Sequence, residues 1–231
     1  MKKFIIFTAF LLISICSFAQ DVLFEEEVKD YSQLDETGPN LKKFTHAYFS
    51  YGLVLGEQYT GAPIQYGSSS LIRYGVRHKR KFCNMFSVGY DIMASASYFY
   101  MKQDSSKIIL TKDLHDKEGF YLYSLGAGLF MRFNFNNKRG NIMGIYMDLG
   151  AAGDWNYSLT HFEKDTKNGI KSKTKSRGYD FLSPFSYGPV VRFGYNQFAV
   201  SAAYRYSNIF EKSANFPELP RFLLGFELSI I

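Results

Sequence analysis

His115 and His161 fall in polar stretches, with Ser105, Ser106, Asp113 and Asp116 near them in the sequence. Serine, imidazole and carboxylate are the parts of an acyl-transfer triad, and membrane-embedded acyl-chain enzymes could assemble them in loops. A triad is a geometry, which closeness in sequence does not supply, and solvated loop histidines are the favoured reading. Four histidines at unrelated spacings match no metal-ligand pattern. Gly126-Ala127-Gly128 sits inside a strand-like stretch and opens no helix, so it is not a phosphate loop. The Asn156-Tyr157-Ser158 sequon also falls within a strand pattern. No cofactor, no metal and no enzymatic activity are expected.

The charged residues carry a stronger pattern. Arg73 and Arg77 alternate with Ile72, Tyr74 and Val76; Asp91 lies opposite in parity to Val88, Tyr90 and Ile92. Arg132 is out of phase with Leu129, Met131 and Phe133, and Asp148 and Asp154 with Met147, Leu149 and Trp155. Arg205 opposes Tyr204 and Tyr206, and Glu227 opposes Phe226 and Leu228. With Arg192, these residues form a set of nearly balanced charge on the face opposite the aliphatics. Lipid-facing Arg or Lys at a bilayer midplane costs about 2–4 kcal/mol, so in a membrane these charges must point into a lumen. A soluble protein would invert the arrangement. Balanced charges in a narrow interior should pair, because an unpaired buried charge costs several kcal/mol.

Such a lumen requires strands. Period-two hydrophobicity recurs over about 45–56, 70–78, 82–101, 120–135, 141–158, 183–195, 198–210 and 221–231, giving eight strands. Long connections (57–69, 102–119, 159–182, 211–220) alternate with short ones near 79–81, 136–140 and 196–197. That rhythm predicts an all-β fold: a closed eight-stranded antiparallel up-and-down transmembrane β-barrel with short periplasmic turns and long outer loops. Eight strands enclose an interior that side chains just fill, so a structural lumen network is favoured over a solute path. Pro184 and Pro189 fit poorly in the sixth strand, and Pro189 should mark a bulge or break.

Composition agrees. Residues 1–19, MKKFIIFTAFLLISICSFA, have the charged, apolar and small-residue regions of a cleaved signal peptide. Losing Lys2 and Lys3 takes the formal net charge from +6 to +4, too mild to suggest nucleic acid. Cys83 is then the only cysteine, which excludes an intramolecular disulfide. The aromatic content of 18% is high. Tyr98, Tyr100, Tyr121, Tyr123, Trp155, Tyr157, Tyr204 and Tyr206 lie toward the long loops, and Phe133, Phe135, Phe193, Tyr195 and Phe198 toward the short turns. Two interfacial girdles would explain it.

The SFAQ signal end, eight amphipathic strands and the closing ELPRFLLGFELSI resemble small outer-membrane β-barrel proteins of the Bacteroidetes type, the PorT-like family included. The resemblance covers the chain after about residue 44. It implies location in the outer membrane of a Gram-negative cell and a place as accessory to envelope secretion or assembly. Gly225, Leu228 and Ile230 also resemble the terminal signal read by the barrel-assembly machinery, although Leu223 and Ile231 depart from its usual pattern.

Two flanking segments suggest partners. Lys164, Lys167, Lys171, Lys173, Lys175 and Arg177 crowd the third long loop, where they would lie beside outer-membrane lipid and lipopolysaccharide phosphates. Residues 20–44 are acidic with few core-forming residues, and read as a periplasmic N-terminal arm that stays mobile or contacts a periplasmic protein. The expected role is therefore structural or interactive, with small-solute transport as the alternative and lipid modification behind it.

Overall fold

The computed structural model describes residues 37–109, 113–136, 140–167, 169–178 and 180–230; the expected signal peptide and residues 20–36 of the arm lie outside them. Nine antiparallel strands run along the described chain: β1 (Lys43–Leu55), β2 (Ser70–Lys81), β3 (Phe86–Tyr100), β4 (Lys117–Asn134), β5 (Ile145–Lys167), β6 (Ile170–Arg177), β7 (Phe185–Tyr195), β8 (Phe198–Tyr204) and β9 (Phe222–Ile230). Their order is β4-β3-β2-β1-β9-β8-β7-β5, and β4 also pairs with β5, so eight strands close into an up-and-down ring. The first and last strands meet with Ser50 opposite Glu227. No helix among the described residues is long and apolar enough to cross a membrane.

The ninth strand corrects the expectation of eight. Residues 159–182 are not a loop: β5 runs out to Lys167 and turns back through β6, which pairs with β5 alone. Every residue of β6 is exposed. A strand wetted on both faces has no apolar period to betray it. Other boundaries also move. The short turn at 79–81 shifts to 82–85, since β2 runs on to Lys81. β5 starts at Ile145 because Gly144 takes φ 67° and breaks the extended path before it. β8 stops at Tyr204 rather than 210.

Two irregularities bend the ring. At Pro189 the β7–β8 ladder is lost: it begins only at Val190↔Ala203, whereas β7 stays paired with β5 as far as Trp155↔Phe185. Proline has no N–H for the ladder, which is the break expected of it. Beside it, a Cβ on Gly188 would meet the Tyr204 carbonyl oxygen at 1.8 Å, so only glycine permits this approach. In β5, Tyr123 faces Ser158 and Ser124 faces Asn156, leaving Tyr157 as the extra residue of a β-bulge. The bulge reverses parity beyond it, turning Leu159 and His161 inward and Lys164 outward.

Burial is inverted relative to a soluble protein. Arg77, Asp91, Arg132, Asp148, Arg192 and Glu227 are buried inside the ring, while Tyr74, Ile92, Leu129, Trp155, Phe193 and Phe226 are exposed on its outside. Toward the long loops the interior is closed by an apolar cluster that includes Ile64, Met101, Phe120, Leu159, Phe210 and Leu219. Toward the short turns Phe44, Met143, Tyr146 and Ala199 close it, with His46 stacked on Phe44 at 4.8 Å. The described end of the arm crosses there as well: Pro39 accepts a hydrogen bond from the Lys79 ammonium, and Asn40 bonds Asn141.

Candidate functional site

Alternation along four strands brings four interior charges to one level. Arg77 on β2 stands directly opposite Asp91 on β3, and Arg192 on β7 and Glu227 on β9 reach them from the other wall. Arg77 Nη2 lies 3.2 Å from Asp91 Oδ2 and 3.1 Å from Glu227 Oε2. Arg192 Nη2 lies 2.9 Å from the same Asp91 oxygen, and its Nε 3.1 Å from Glu227 Oε1. Two guanidinium groups and two carboxylates thus alternate in a closed loop of zero net charge that straps opposite walls together. Breaking such a buried set by removing one member typically costs about 3–5 kcal/mol, because the remaining charges stay buried and unpaired.

Aromatic rings complete the layer. The Tyr48 ring lies 4.2 Å from the Arg77 guanidinium carbon, and Phe130 is approached by Arg77 and Arg132 at 5.6 Å each and by Arg192 at 6.0 Å. A ring face stabilises a desolvated guanidinium where no water can. Nearer the short turns, Arg132 grips Asp148 with two bonds, 2.7 and 2.8 Å, and covers the Tyr146 ring at 3.7 Å. Nearer the loops, Arg73 donates to Ser95 Oγ at 2.9 Å and lies 3.4 Å from Asp154. This pair lines a cavity of about 70 Å³ between the central layer and the outer apolar cluster.

The proposed lumenal residues therefore divide into a central quartet and two flanking pairs. Arg205 belongs to neither. It lies just past the end of β8 and binds Glu218 Oε1 at 2.9 Å and the carbonyls of Ser207 and Leu219, fastening the β8–β9 connection over the ring. Tyr48, Phe130 and Tyr146 were absent from the sequence-derived set. Their parity placed them inward, but their residue type suited an outer girdle equally well. Lys79, also inward and 1% exposed, was missed because it fell in the turn expected at 79–81.

A second polar cluster lies beyond the ring, where β4 and β5 continue past the aromatic band. Glu118 accepts from the Lys107 ammonium, from Gln103 Nε2 at 3.0 Å, and lies 2.9 Å from His161 Nε2. Burial opposes ionisation of Glu118, yet the hydrogen bonds from His161, Lys107 and Gln103 prevail and hold its carboxyl below the usual range. His115 Nδ1 lies 2.9 Å from Asp165 Oδ2, and its Nε2 is 3.8 Å from Glu163, which is 3.5 Å from His161. Both histidines are thus bound to carboxylates; His161 also stands opposite Ser176 across the β5–β6 ladder, and Ser106 donates to Asp104. Among the described residues no group of side chains has the arrangement of a metal site.

The basic residues of the former third loop are distributed on the β5–β6 hairpin. Lys164 faces Lys173, Thr166 faces Lys171, Phe162 faces Lys175 and Thr160 faces Arg177, so these five cations share one face. The side chain of Lys167 lies outside what is described. In the closing strand Leu228 and Ile230 point outward and are exposed, while Gly225 faces Ser201 inside.

No protein-family model matches the chain, and no curated protein matches it. Among solved structures it is similar to the attachment invasion locus protein Ail of Yersinia pestis in complex with the heparin analogue sucrose octasulfate. Identity is 15%, covering 81% of this chain and 98% of that one, with a TM-score of 0.34. It is likewise similar to a second crystal structure of Ail of Yersinia pestis, at 16% identity over 82% and 99% of the two chains and a TM-score of 0.33.

Proposed function

We propose that this chain is an integral outer-membrane β-barrel of the Gram-negative envelope, non-enzymatic, with a sealed lumen and a structural or interactive role. The observation that carries this reading is the inversion of burial around a closed ring: ionised side chains inside, and aliphatic and aromatic ones exposed outside. In water the outer surface would be a continuous apolar belt of a kind that marks an interaction or membrane surface. In a bilayer it is the solvent-matched one. The lower and upper aromatic clusters, such as Phe86 with Phe133 and Tyr98 with Tyr121, suit the two interfaces.

Sealing is supported by three layers in series: the apolar cluster under the loops, the central charge quartet, and the Phe44–Tyr146 cluster near the turns. The bonds that tie Glu118 to Lys107, Gln103 and His161, and His115 to Asp165, favour a fastening role over lipid chemistry for the outer cluster. The resemblance to PorT-like barrels favours an accessory place in secretion or assembly, with the N-terminal arm offered to a periplasmic partner. Leu228 and Ile230 are available to the assembly machinery.

Purified protein folded into vesicles should migrate differently in detergent gels before and after boiling, and planar bilayers containing it should remain silent. Identical migration would sink the closed barrel. Stable conductance from the unaltered chain would replace the sealed role with solute transport.

A further inference from the structure

On the β5–β6 hairpin, charge is sorted by face. The outward face of the hairpin and of the adjoining end of β4 carries Lys117, Lys164, Lys171, Lys173, Lys175 and Arg177, fixed by the pairings Lys117↔Lys164 and Lys164↔Lys173 and their neighbours. The nearby strand carboxylates, Glu118, Glu163 and Asp165, have the opposite parity and engage His115, His161 and Lys107. None of the six cations has a carboxylate partner among the described residues. This sorting depends on Tyr157 being accommodated as a bulge; regular alternation through Tyr157 would instead turn Glu163 and Asp165 outward.

The register places Lys117, Lys164 and Lys173 side by side across three adjacent strands, about 4.8 Å apart from strand to strand. Like charges directly opposite one another destabilise a sheet. A merely solvated hairpin gains nothing from that row, whereas a polyanion bound to it would offset the repulsion. The row also has a fixed height. On the same outward face, Phe162 stacks on Tyr121 at 4.7 Å and meets Tyr100 at 5.6 Å, one pleat repeat below Lys164. An aromatic belt marks the membrane–water interface, so the cations lie at and just above the headgroups.

We infer that the outward face of this hairpin is a docking surface for the phosphate groups of outer-leaflet lipid. The inference rests on the outer-membrane reading, which supplies the height of the row. It assigns Lys117 to the surface and makes directionality, rather than the number of lysines in the segment, the feature that recognises the lipid.

The full mature chain, folded into phosphatidylcholine vesicles containing either diphosphorylated lipid A or the same lipid stripped of its phosphates, provides the test. Amine acylation of individual lysines is followed by mass spectrometry, with Lys212 on the β8–β9 connection as the internal reference. Each lysine beside an anionic surface gains a bias of about fivefold. Acylation of Lys117, Lys164 and Lys173 should therefore slow by about fivefold or more relative to Lys212 with the phosphorylated lipid only. A Lys117→Ser/Lys164→Ser/Lys173→Ser variant should keep its heat-dependent gel shift and lose the slower acylation of Lys171 and Lys175. Equal rates in both vesicles, with the gel shift intact, would overturn the inference and leave the barrel standing. Loss of the gel shift in the unaltered chain would instead strike the barrel reading. Protection by soluble dextran sulfate in neutral vesicles, with none from the phosphorylated lipid, would assign the face to a soluble polyanion and overturn the lipid.

Discussion

Glu118 sits three residues beyond Tyr121 on β4, outside the apolar band, and is 1% exposed with three donors around it. Its folded pKa is below its unfolded one, so the stability it contributes is fully present above the unfolded value and is lost as pH falls through the folded value. Because Lys107 and Gln103 belong to the β3–β4 connection, that stability belongs to the attachment of its described residues, 101–109 and 113–116. Protection factors of the amides in this connection, with exchange corrected for its intrinsic pH dependence, should hold from neutral pH to about pH 4.5, near the ordinary glutamate value, and drop below it. Glu118→Gln should lower those protection factors at pH 7 and leave them little changed on acidification. An acid response unchanged in the variant would assign the effect to another carboxylate. The residues involved were visible in the sequence, but their partners were not: Lys107 and His161 are separated by most of two strands, and only pairing brings them to one carboxylate.

Among the elements, β4 shows why small residues recur on an inward face. A Cβ on Gly128 would lie 2.3 Å from Asp91 Oδ1, and one on Gly126 would lie 2.2 Å from Asp154 Oδ1. Asp91 cannot swing away without releasing Arg77 and Arg192. Gly128→Val should therefore destabilise the folded chain by about 1–3 kcal/mol, the usual cost of overpacking, as a lower urea midpoint in vesicles. Gly140→Val, with open space around it, should leave the midpoint unmoved. Equal midpoints for the two variants would mean that the carboxylate adjusts freely. The alternation that put Gly126 and Gly128 inward was legible because one side of β4 is apolar. The same signal failed on β6, where Lys, Ser and Thr alternate with no apolar side. It also failed at the bulge, since outward Trp155 and Tyr157 preserve a period of two right up to the residue that ends it.

At the scale of the molecule, the interior is filled in layers rather than by a single plug. Ring closure sets the diameter, Glu227 joins the last strand to the quartet, and Arg192 crosses from β7 to β3. The outer apolar cluster depends on loops, through Phe210 and Leu219, whereas the quartet depends on strands. The two should therefore act independently. Phe210→Ala/Leu219→Ala should admit water to the cavity beside Arg73 and Asp154 yet leave planar bilayers silent, because the quartet and Phe130 still span the section below. Arg192→Ala alone should also be silent, sealed from above, though less stable by about 3–5 kcal/mol for the carboxylates it leaves unmatched. Only the combined variant should conduct, and then only if Phe44, Met143 and Tyr146 do not close the turn end by themselves. Recordings that show the loop variant conducting as strongly as the combination would demote the quartet from barrier to wall brace. Silence from a combination that keeps its heat-dependent gel shift would place the decisive seal at the turn end, where the described part of the N-terminal arm is bound.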